Sequence, residues 1–382
     1  MASTLTAAKL VTRDTVVDRP LITVDNDGRI ASISTREAAQ AASVTHDFGD
    51  STLTAGLLDI HMHGGAGHDV MEGTTGALDT VSRFLASHGV AEYLATTVTA
   101  SLDSTFHALE GIANYIERTP VQDGAKPIGI HIEGPFVSHA KKGMHPAQFI
   151  VEPTPDLLNK FWEASRGTIR LMTIAPEVPG ALDTIRRATE LGIRSSIGHS
   201  NAVKAEALKG IEAGATTATH TFNAMRPYDH REPGILGLVL DREDLFADII
   251  CDGIHVAPEG IRLFLKAKGS HRAILITDAL EAAGMPNGQY KLGGTTVHVK
   301  DGTCTTNEGI LAGSVITLDR AVDKLREFTG ADLPTAVRLA STNPSAMLGL
   351  PDTLAPGQPA SFNVYNAAGQ RTQTILRGKL LN

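Results

Sequence analysis

Eight apolar runs recur along the middle of the chain, at residues 56–61, 93–99, 127–133, 169–175, 193–199, 216–220, 247–252 and 273–278. Between most of them lie segments with helical periodicity, including 77–88, 104–118, 181–191, 202–213 and 258–268. Strands that are apolar almost throughout, each followed by a helix, belong to parallel sheets covered on both faces. Eight such units in roughly 220 residues predict a (β/α)8 barrel of the TIM type. A doubly wound open sheet is the alternative, but no Gly-x-Gly-x-x-Gly follows the first strand.

The two ends read differently. Residues 1–55 read as short strands and turns, with an Asp27-Gly28 hairpin signal after the apolar run 21–24. Residues 360–382 read the same way, with strands at 361–365 and 374–379. Residues 1–55 together with 355–382 are therefore expected to build one small sheet domain, and 56–354 the barrel. Segment 289–299, followed by Lys300-Asp301-Gly302, reads as a hairpin inserted after the eighth strand, ahead of helices at 316–328 and 333–341.

Composition narrows the function classes. With 34 Lys+Arg against 42 Asp+Glu the net charge is −8, so a nucleic-acid-binding basic face is not expected. Aromatic residues are 4% of the chain, too few for a base-stacking surface. No apolar run reaches the ~18 residues of a membrane span, and the first residues lack the basic start and apolar core of a signal peptide. The two cysteines, Cys251 and Cys304, cannot build a disulfide framework, and a reducing cytoplasm is the expected setting.

The chain has 15 histidines, and their placement is informative. His61 and His63 end the first strand, two apart, and so share a face. Glu133 ends the third strand, His199 the fifth, His220 the sixth and Asp278 the eighth, while His255 follows the seventh. In a barrel the C-terminal strand ends share one mouth, so these groups converge. Any one of them alone reads better as a hydrogen-bonded structural residue. His131 is left unassigned, and His68, His88, His107, His230, His271 and His298 read as surface or loop residues. Six such groups at the ends of five strands are too many for coincidence. Imidazole and carboxylate donors suit zinc, iron, cobalt or manganese. Such a cation lowers the pKa of a water to about 7 and polarises a carbonyl oxygen. Asp278, at the last strand end, is expected to carry the proton. Segment 171–177 on the fourth strand has no lysine, so no carboxylated-lysine bridge is available there and Glu133 is the natural bridging carboxylate.

The run His61-Met62-His63 behind Gly56-Leu57-Leu58-Asp59, with Asp278 after the eighth strand, resembles the amidohydrolase superfamily. Segments 129–136 (Gly-Ile-His-Ile-Glu-Gly-Pro-Phe), 141–145 (Lys-Lys-Gly-Met-His), 196–200 (Ser-Ile-Gly-His-Ser), 220–225 (His-Thr-Phe-Asn-Ala-Met), 231–234 (Arg-Glu-Pro-Gly), 252–255 (Asp-Gly-Ile-His) and 311–314 (Leu-Ala-Gly-Ser) follow in the family's order. They resemble its branch of N-acetylglucosamine-6-phosphate deacetylases.

The resemblance implies a barrel with a β-sandwich built from both termini. It implies hydrolysis of N-acetyl-D-glucosamine 6-phosphate to D-glucosamine 6-phosphate and acetate. Glu133, His199 and His220 would hold the main divalent metal. His61 and His63, with Glu133 and Asp278, can hold a second, giving one or two metals per subunit, zinc first and iron, cobalt or manganese as alternatives. By the same resemblance Asp278 deprotonates the attacking water and then protonates the leaving amine, and His145 stabilises the oxyanion. Asn223 and the Ala224 amide contact the phosphate. Arg231 and His255 complete that clamp from the neighbouring subunit, which implies a homodimer or larger homo-oligomer with shared active sites. Ala312 and Gly313 contact substrate or shape the mouth. Ala55 stands where superfamily members usually have Pro, which affects a turn and no chemistry. Two other readings are an N-acyl-amino-acid or cyclic-amide hydrolase with the same metal site, and a non-catalytic structural relative. The first lacks the Arg231/His255 pair, and the second typically loses ligands, none of which is missing here.

Overall fold

The computed structural model describes residues 2–36, 44–118 and 123–381. All eight apolar runs form strands: β1 (Leu57–Met62), β2 (Val90–Thr97), β3 (Lys126–Glu133), β4 (Ile169–Ile174), β5 (Arg194–Ile197), β6 (Ala215–Ala218), β7 (Ala247–Ile250) and β8 (Ala273–Ile276). The first six make one curled, all-parallel sheet in chain order, and β7 pairs parallel with β8. Backbone hydrogen bonds cross both seams. Phe246 N–H donates to Thr216 O at 3.1 Å and Thr221 N–H to Asp248 O at 2.8 Å. On the other side Asp278 N–H donates to His61 O at 2.8 Å and His63 N–H to Ala279 O at 2.7 Å.

The strands bury both faces, which is why they read as continuous apolar runs. Leu94, Leu171, Ile274 and Ile276 meet in one cluster, while their neighbours Tyr93, Ala95, Met172 and Leu275 pack on the other side against the helices. The expected helices are present, for example Thr75–Ser87 capped by the Thr74 hydroxyl and Leu102–Glu117 capped by Ser101. Helices Pro155–Ala164 and Gly234–Asp241 add to those assigned from the sequence. Several expected strands overrun the observed ones, because the chain leaves the sheet at Ile197, Ala218, Ile250 and Ile276. His199, His220 and Asp278, expected as strand ends, instead have φ of 47°, 31° and 51°, which no strand residue adopts.

The two termini share a sheet. Thr52–Ala55 pairs antiparallel with Phe362–Tyr365, in the register Phe362↔Ala55 and Val364↔Leu53. Lys9–Val11, Val16–Asp18, Arg371–Leu376 and Lys379–Leu380 extend it to six strands. A second sheet orders Ile30–Thr35, Pro20–Val24, Ser3–Thr6 and His46–Asp47. Leu5, Leu10, Ile22, Leu53, Phe362 and Ile375 from both sheets pack in one cluster. Gly28 makes the expected hairpin at φ 73°, and a Cβ there would lie 2.2 Å from Arg377 O, so the position needs glycine twice over. Met1, residues 37–43 and Asn382 of the expected terminal domain lie outside the described residues.

The insertion after β8 is a three-stranded antiparallel sheet, Gly288–Leu292, Thr295–Lys300 and Thr303–Thr305. Its Leu292, Val297 and Cys304 pack on Val98, Leu280 and Ala312, which seats it beside the rim where the parallel strands end. No helix among the described residues is long and apolar enough to cross a membrane.

Phe362 is fully buried between strands contributed by opposite ends of the chain. Phe362→Ala is expected to cost about 3–5 kcal/mol in urea unfolding at unchanged slope. A loss below about 1 kcal/mol would show that this cluster collapses around the deletion.

Candidate active site

The parallel strands end at one rim, where the chain turns sharply. Glu133 is the last residue of β3, and His63 follows β1 directly. His199, His220 and Asp278 each stand two residues beyond β5, β6 and β8. Their left-handed backbone costs on the order of 1–3 kcal/mol per residue and persists only where neighbours enforce it. Those neighbours are present. Asn223 N–H donates to His220 O at 2.9 Å, Ser138 N–H to His199 O at 2.9 Å and Ser314 N–H to Asp278 O at 2.7 Å.

Glu133 is the hub. Its Oε1 lies 3.1 Å from His220 Nε2, 3.2 Å from His199 Nε2 and 3.3 Å from His61 Nε2. Its Oε2 lies 3.2 Å from His63 Nε2 and 3.8 Å from His145 Nε2. Asp278 Oδ1 stands 3.1 Å from His63 Nε2 and 3.5 Å from His61 Nε2. All of these side chains are buried. Two backbone carbonyls set the imidazole tautomers. Thr96 O lies 2.9 Å from His63 Nδ1 and Lys141 O lies 3.0 Å from His199 Nδ1. A carbonyl can only accept, so each Nδ1 carries a proton and each Nε2 is aimed at the centre.

That arrangement fits a divalent cation. His61 is fully buried, yet neither of its ring nitrogens has a hydrogen-bond partner. His199 Nε2 sits 3.0 Å from His220 Nε2 and 3.3 Å from His145 Nε2, and ring nitrogens so close call for a shared proton or a cation between them. The donor atoms of His61, His63, Glu133 and Asp278 lie within 4.8 Å of one another, as do those of Glu133, His145 and His199. Mixed nitrogen and oxygen donors suit zinc and its first-row neighbours.

The electrostatics agree. Burial disfavours charge on Glu133, but His61 and hydrogen bonds from His199 and His220 outweigh it and hold its pKa well below the usual range. Asp278 is likewise held down to about 2, against burial, by His61 and His63. Burial is also opposed at His220, where the Glu133 carboxylate raises the pKa to about 9. His145 lies 3.8 Å from Glu133 Oε2, but burial and the neighbouring His199 outweigh that carboxylate and lower its pKa to about 3. Its Nδ1 is 2.7 Å from the Thr99 hydroxyl.

A cavity opens over the cluster, walled by Met144, Leu292, Ile310 and Leu311 on its apolar side and by Asn223, Ala224 and His255 elsewhere. Asn223 Nδ2 is buried without a partner and so is available to a ligand. His255 gives Nδ1–H to Asp252 Oδ2 at 2.7 Å, leaving Nε2 for the cavity. Gly313 lines the wall, but Ala312 is buried behind it beside Leu292. Arg231 is exposed and outside the cavity of its own chain, with its backbone N–H on Asp229. His255, expected from a neighbouring subunit, lines its own chain's cavity, whereas Arg231 is not among the residues that line it.

Sequence reasoning missed the apolar wall, since Met144, Leu292, Ile310 and Leu311 carry no chemical signature. It also passed over Asp59 and Asp248, although a lone carboxylate in an apolar strand is a legible signal. Asp59 accepts the His61 N–H at 3.3 Å and the Thr277 hydroxyl at 2.7 Å.

Residues 52–381 match the family model described as "Amidohydrolase family". The N-acetylglucosamine-6-phosphate deacetylase of Bacillus subtilis (strain 168) is 34% identical over 97% of this chain and 95% of its own. The N-acetylgalactosamine-6-phosphate deacetylase of Escherichia coli O157:H7 is 35% identical over 100% of this chain and 99% of its own. The solved N-acetyl-D-glucosamine-6-phosphate deacetylase of Mycobacterium smegmatis superposes with a TM-score of 0.92 at 31% identity, covering 100% of both chains. A histidine–carboxylate cluster at the ends of parallel strands, a family match over most of the sequence and full-length relatives together place the chain in the amidohydrolase family.

Proposed function

We propose that this chain hydrolyses N-acetyl-D-glucosamine 6-phosphate to D-glucosamine 6-phosphate and acetate. The observation that carries the reading is one cavity holding both the buried Glu133–histidine–Asp278 cluster and the unpaired Asn223 donor, in a chain whose full-length relatives bear that name. The architecture belonging to this reading is a closed (β/α)8 barrel, residues 56–354, with a β-sandwich of residues 1–55 and 355–382. The backbone bonds across both seams and the apolar cluster shared by the terminal sheets support it. A cytoplasmic setting suits two buried free cysteines.

In this reading Glu133, His199 and His220 hold the main cation, zinc in the first instance. His61 and His63, with Glu133 and Asp278, hold a second where one binds. The bound metal supplies Lewis acidity and lowers the pKa of water. Asp278 accepts the proton of the attacking water on its carboxylate, which is ionised at neutral pH, and delivers it to the leaving amine. His145, neutral at pH 7, offers Nε2–H to the developing oxyanion while the Thr99 hydroxyl donates to its Nδ1. Asn223 Nδ2 and the Ala224 N–H meet the phosphate, His255 turns Nε2 to the sugar phosphate, and Gly313 keeps the wall close. Arg231 enters the cavity of a neighbouring copy, so the working unit is a dimer or larger homo-oligomer.

Acetate release should be faster from N-acetylglucosamine 6-phosphate than from N-acetylgalactosamine 6-phosphate or unphosphorylated N-acetylglucosamine. A higher rate on the galactosamine epimer would favour the second reading, which the equally similar Escherichia coli relative supports. Indifference to the phosphate would point to an N-acyl-amino-acid or cyclic-amide hydrolase, and no hydrolysis by metal-loaded protein to a structural relative.

Asp278→Asn keeps the shape and cannot take a proton. Its kcat is expected to fall at least ~10²-fold in a folded protein, and near-normal turnover would remove Asp278 from the role.

Arg231 offers a planar fork for a phosphate dianion. Arg231→Ala should lower kcat/KM for the phosphorylated sugar ~10²-fold, the scale of a charged hydrogen bond worth roughly 1.5–3 kcal/mol or somewhat above, and barely affect the unphosphorylated one. Mixing Arg231→Ala with Asp278→Asn subunits should restore some activity through hybrid sites. Equal losses on both substrates would make Arg231 structural.

A further inference from the structure

Strand β7 is Ala247-Asp248-Ile249-Ile250, buried throughout, and Asp248 is its one charged residue. Ile250, two residues on, lines the cavity, so Asp248 lies on the same face one layer deeper. A carboxylate out of water there is costly unless hydrogen bonds compensate it. Its Oδ1 accepts the main-chain N–H of His220, and its main-chain oxygen accepts the Thr221 N–H at 2.8 Å. Two consecutive amides, at the point where the chain leaves β6 and turns left-handed at φ 31°, are thus held by one residue of the neighbouring strand. The ionisable groups around the Asp248 carboxylate are His61, His220 and Asp278. A related device recurs at β1, where Asp59 accepts the N–H of His61.

We propose that Asp248 is a positioning residue: by accepting the His220 N–H it holds the turn that brings His220 Nε2 within 3.1 Å of Glu133, and so sets cation affinity without touching the cation. The inference rests on reading His220 as a ligand. Without the acceptor, the buried N–H has no partner and the left-handed turn keeps only the Asn223 N–H to His220 O and Thr221 N–H to Asp248 O bonds. The backbone then relaxes toward the right-handed region and swings the imidazole away from Glu133.

The test compares Asp248→Ala, Asp248→Ser and Asp248→Asn in the full chain. Zinc affinity is measured by chelator competition and ligand geometry by the visible spectrum of cobalt-loaded protein. Ala and Ser, which place no acceptor in reach, should weaken zinc about 10- to 100-fold and alter the cobalt spectrum, the range seen for groups that orient metal ligands. Asn retains a carbonyl oxygen at the same distance and should stay within about threefold with an unaltered spectrum. Unchanged affinity in Ala or Ser overturns the proposal, and so does an Asn variant as weak as Ser, since charge rather than hydrogen bonding would then be the cause. If the Ala variant does not fold, the Ser and Asn pair decides. His220→Ala in the same competition tests the ligand reading separately: undiminished affinity there rejects His220 as a ligand whatever Asp248 does.

Discussion

Glu133 touches five imidazoles at once, and keeping that carboxylate ionised out of water is the constraint on which the site depends. A buried, uncompensated carboxylate costs several kcal/mol, and a second one close by adds repulsion. Asp278 is that second one, sharing His61 and His63 with Glu133. Both stay ionised because ring nitrogens face them on every side. The same crowding brings imidazole nitrogens within 3.0–3.3 Å of one another, which a shared proton or a cation relieves. A site of this kind is poorly stable by itself and holds its shape through the frame around it.

The frame works through the backbone as much as through side chains. Three of the groups that converge on the centre sit at left-handed positions just beyond the sheet. A strand would send successive side chains to opposite faces, whereas a left-handed residue redirects one side chain within a single step. The strain is tolerated because adjacent segments hold each turn by main-chain hydrogen bonds. Glycines supply the clearance. A Cβ at Gly198 would come within 2.6 Å of Thr219, and one at Gly143 would press on the His199 ring at 3.3 Å.

Much of this was legible in the sequence. Strands buried on both faces reveal themselves as continuous apolar runs, so all eight were found, and a polar residue ending such a run stands out. Their ends were misjudged because periodicity carries no sign of a φ reversal: His199, His220 and Asp278 look like final strand residues and are turn residues. The cavity wall was illegible for a different reason. Leu292, Ile310 and Leu311 are ordinary apolar residues whose role depends on where an inserted sheet docks, which follows from packing against Val98 and Leu280 rather than from local pattern. Arg231 and His255 look equivalent as phosphate partners in the sequence. Only the three-dimensional arrangement separates them, placing His255 in its own chain's cavity and Arg231 outside it.

That separation bears on how the proposed reaction divides its work. The groups assigned to the amide chemistry all belong to one chain, and all but His145, which lies in the segment after β3, stand at or just beyond its strand ends at distances near 3 Å from one another. The guanidinium assigned to the phosphate belongs to an exposed segment, and in the proposed reaction it would reach a neighbouring copy's cavity across an interface. Binding energy from a phosphate remote from the scissile bond accelerates the reaction only if it is converted into orientation of the amide. An interface that moves independently of the rim would supply affinity without orientation and so appear in KM alone. One packed rigidly against the rim would appear in kcat as well. Backbone bonds hold the rim at each left-handed turn. In the proposed reaction the partition between the two constants would therefore be set by how firmly a second copy packs against the segment that carries Arg231.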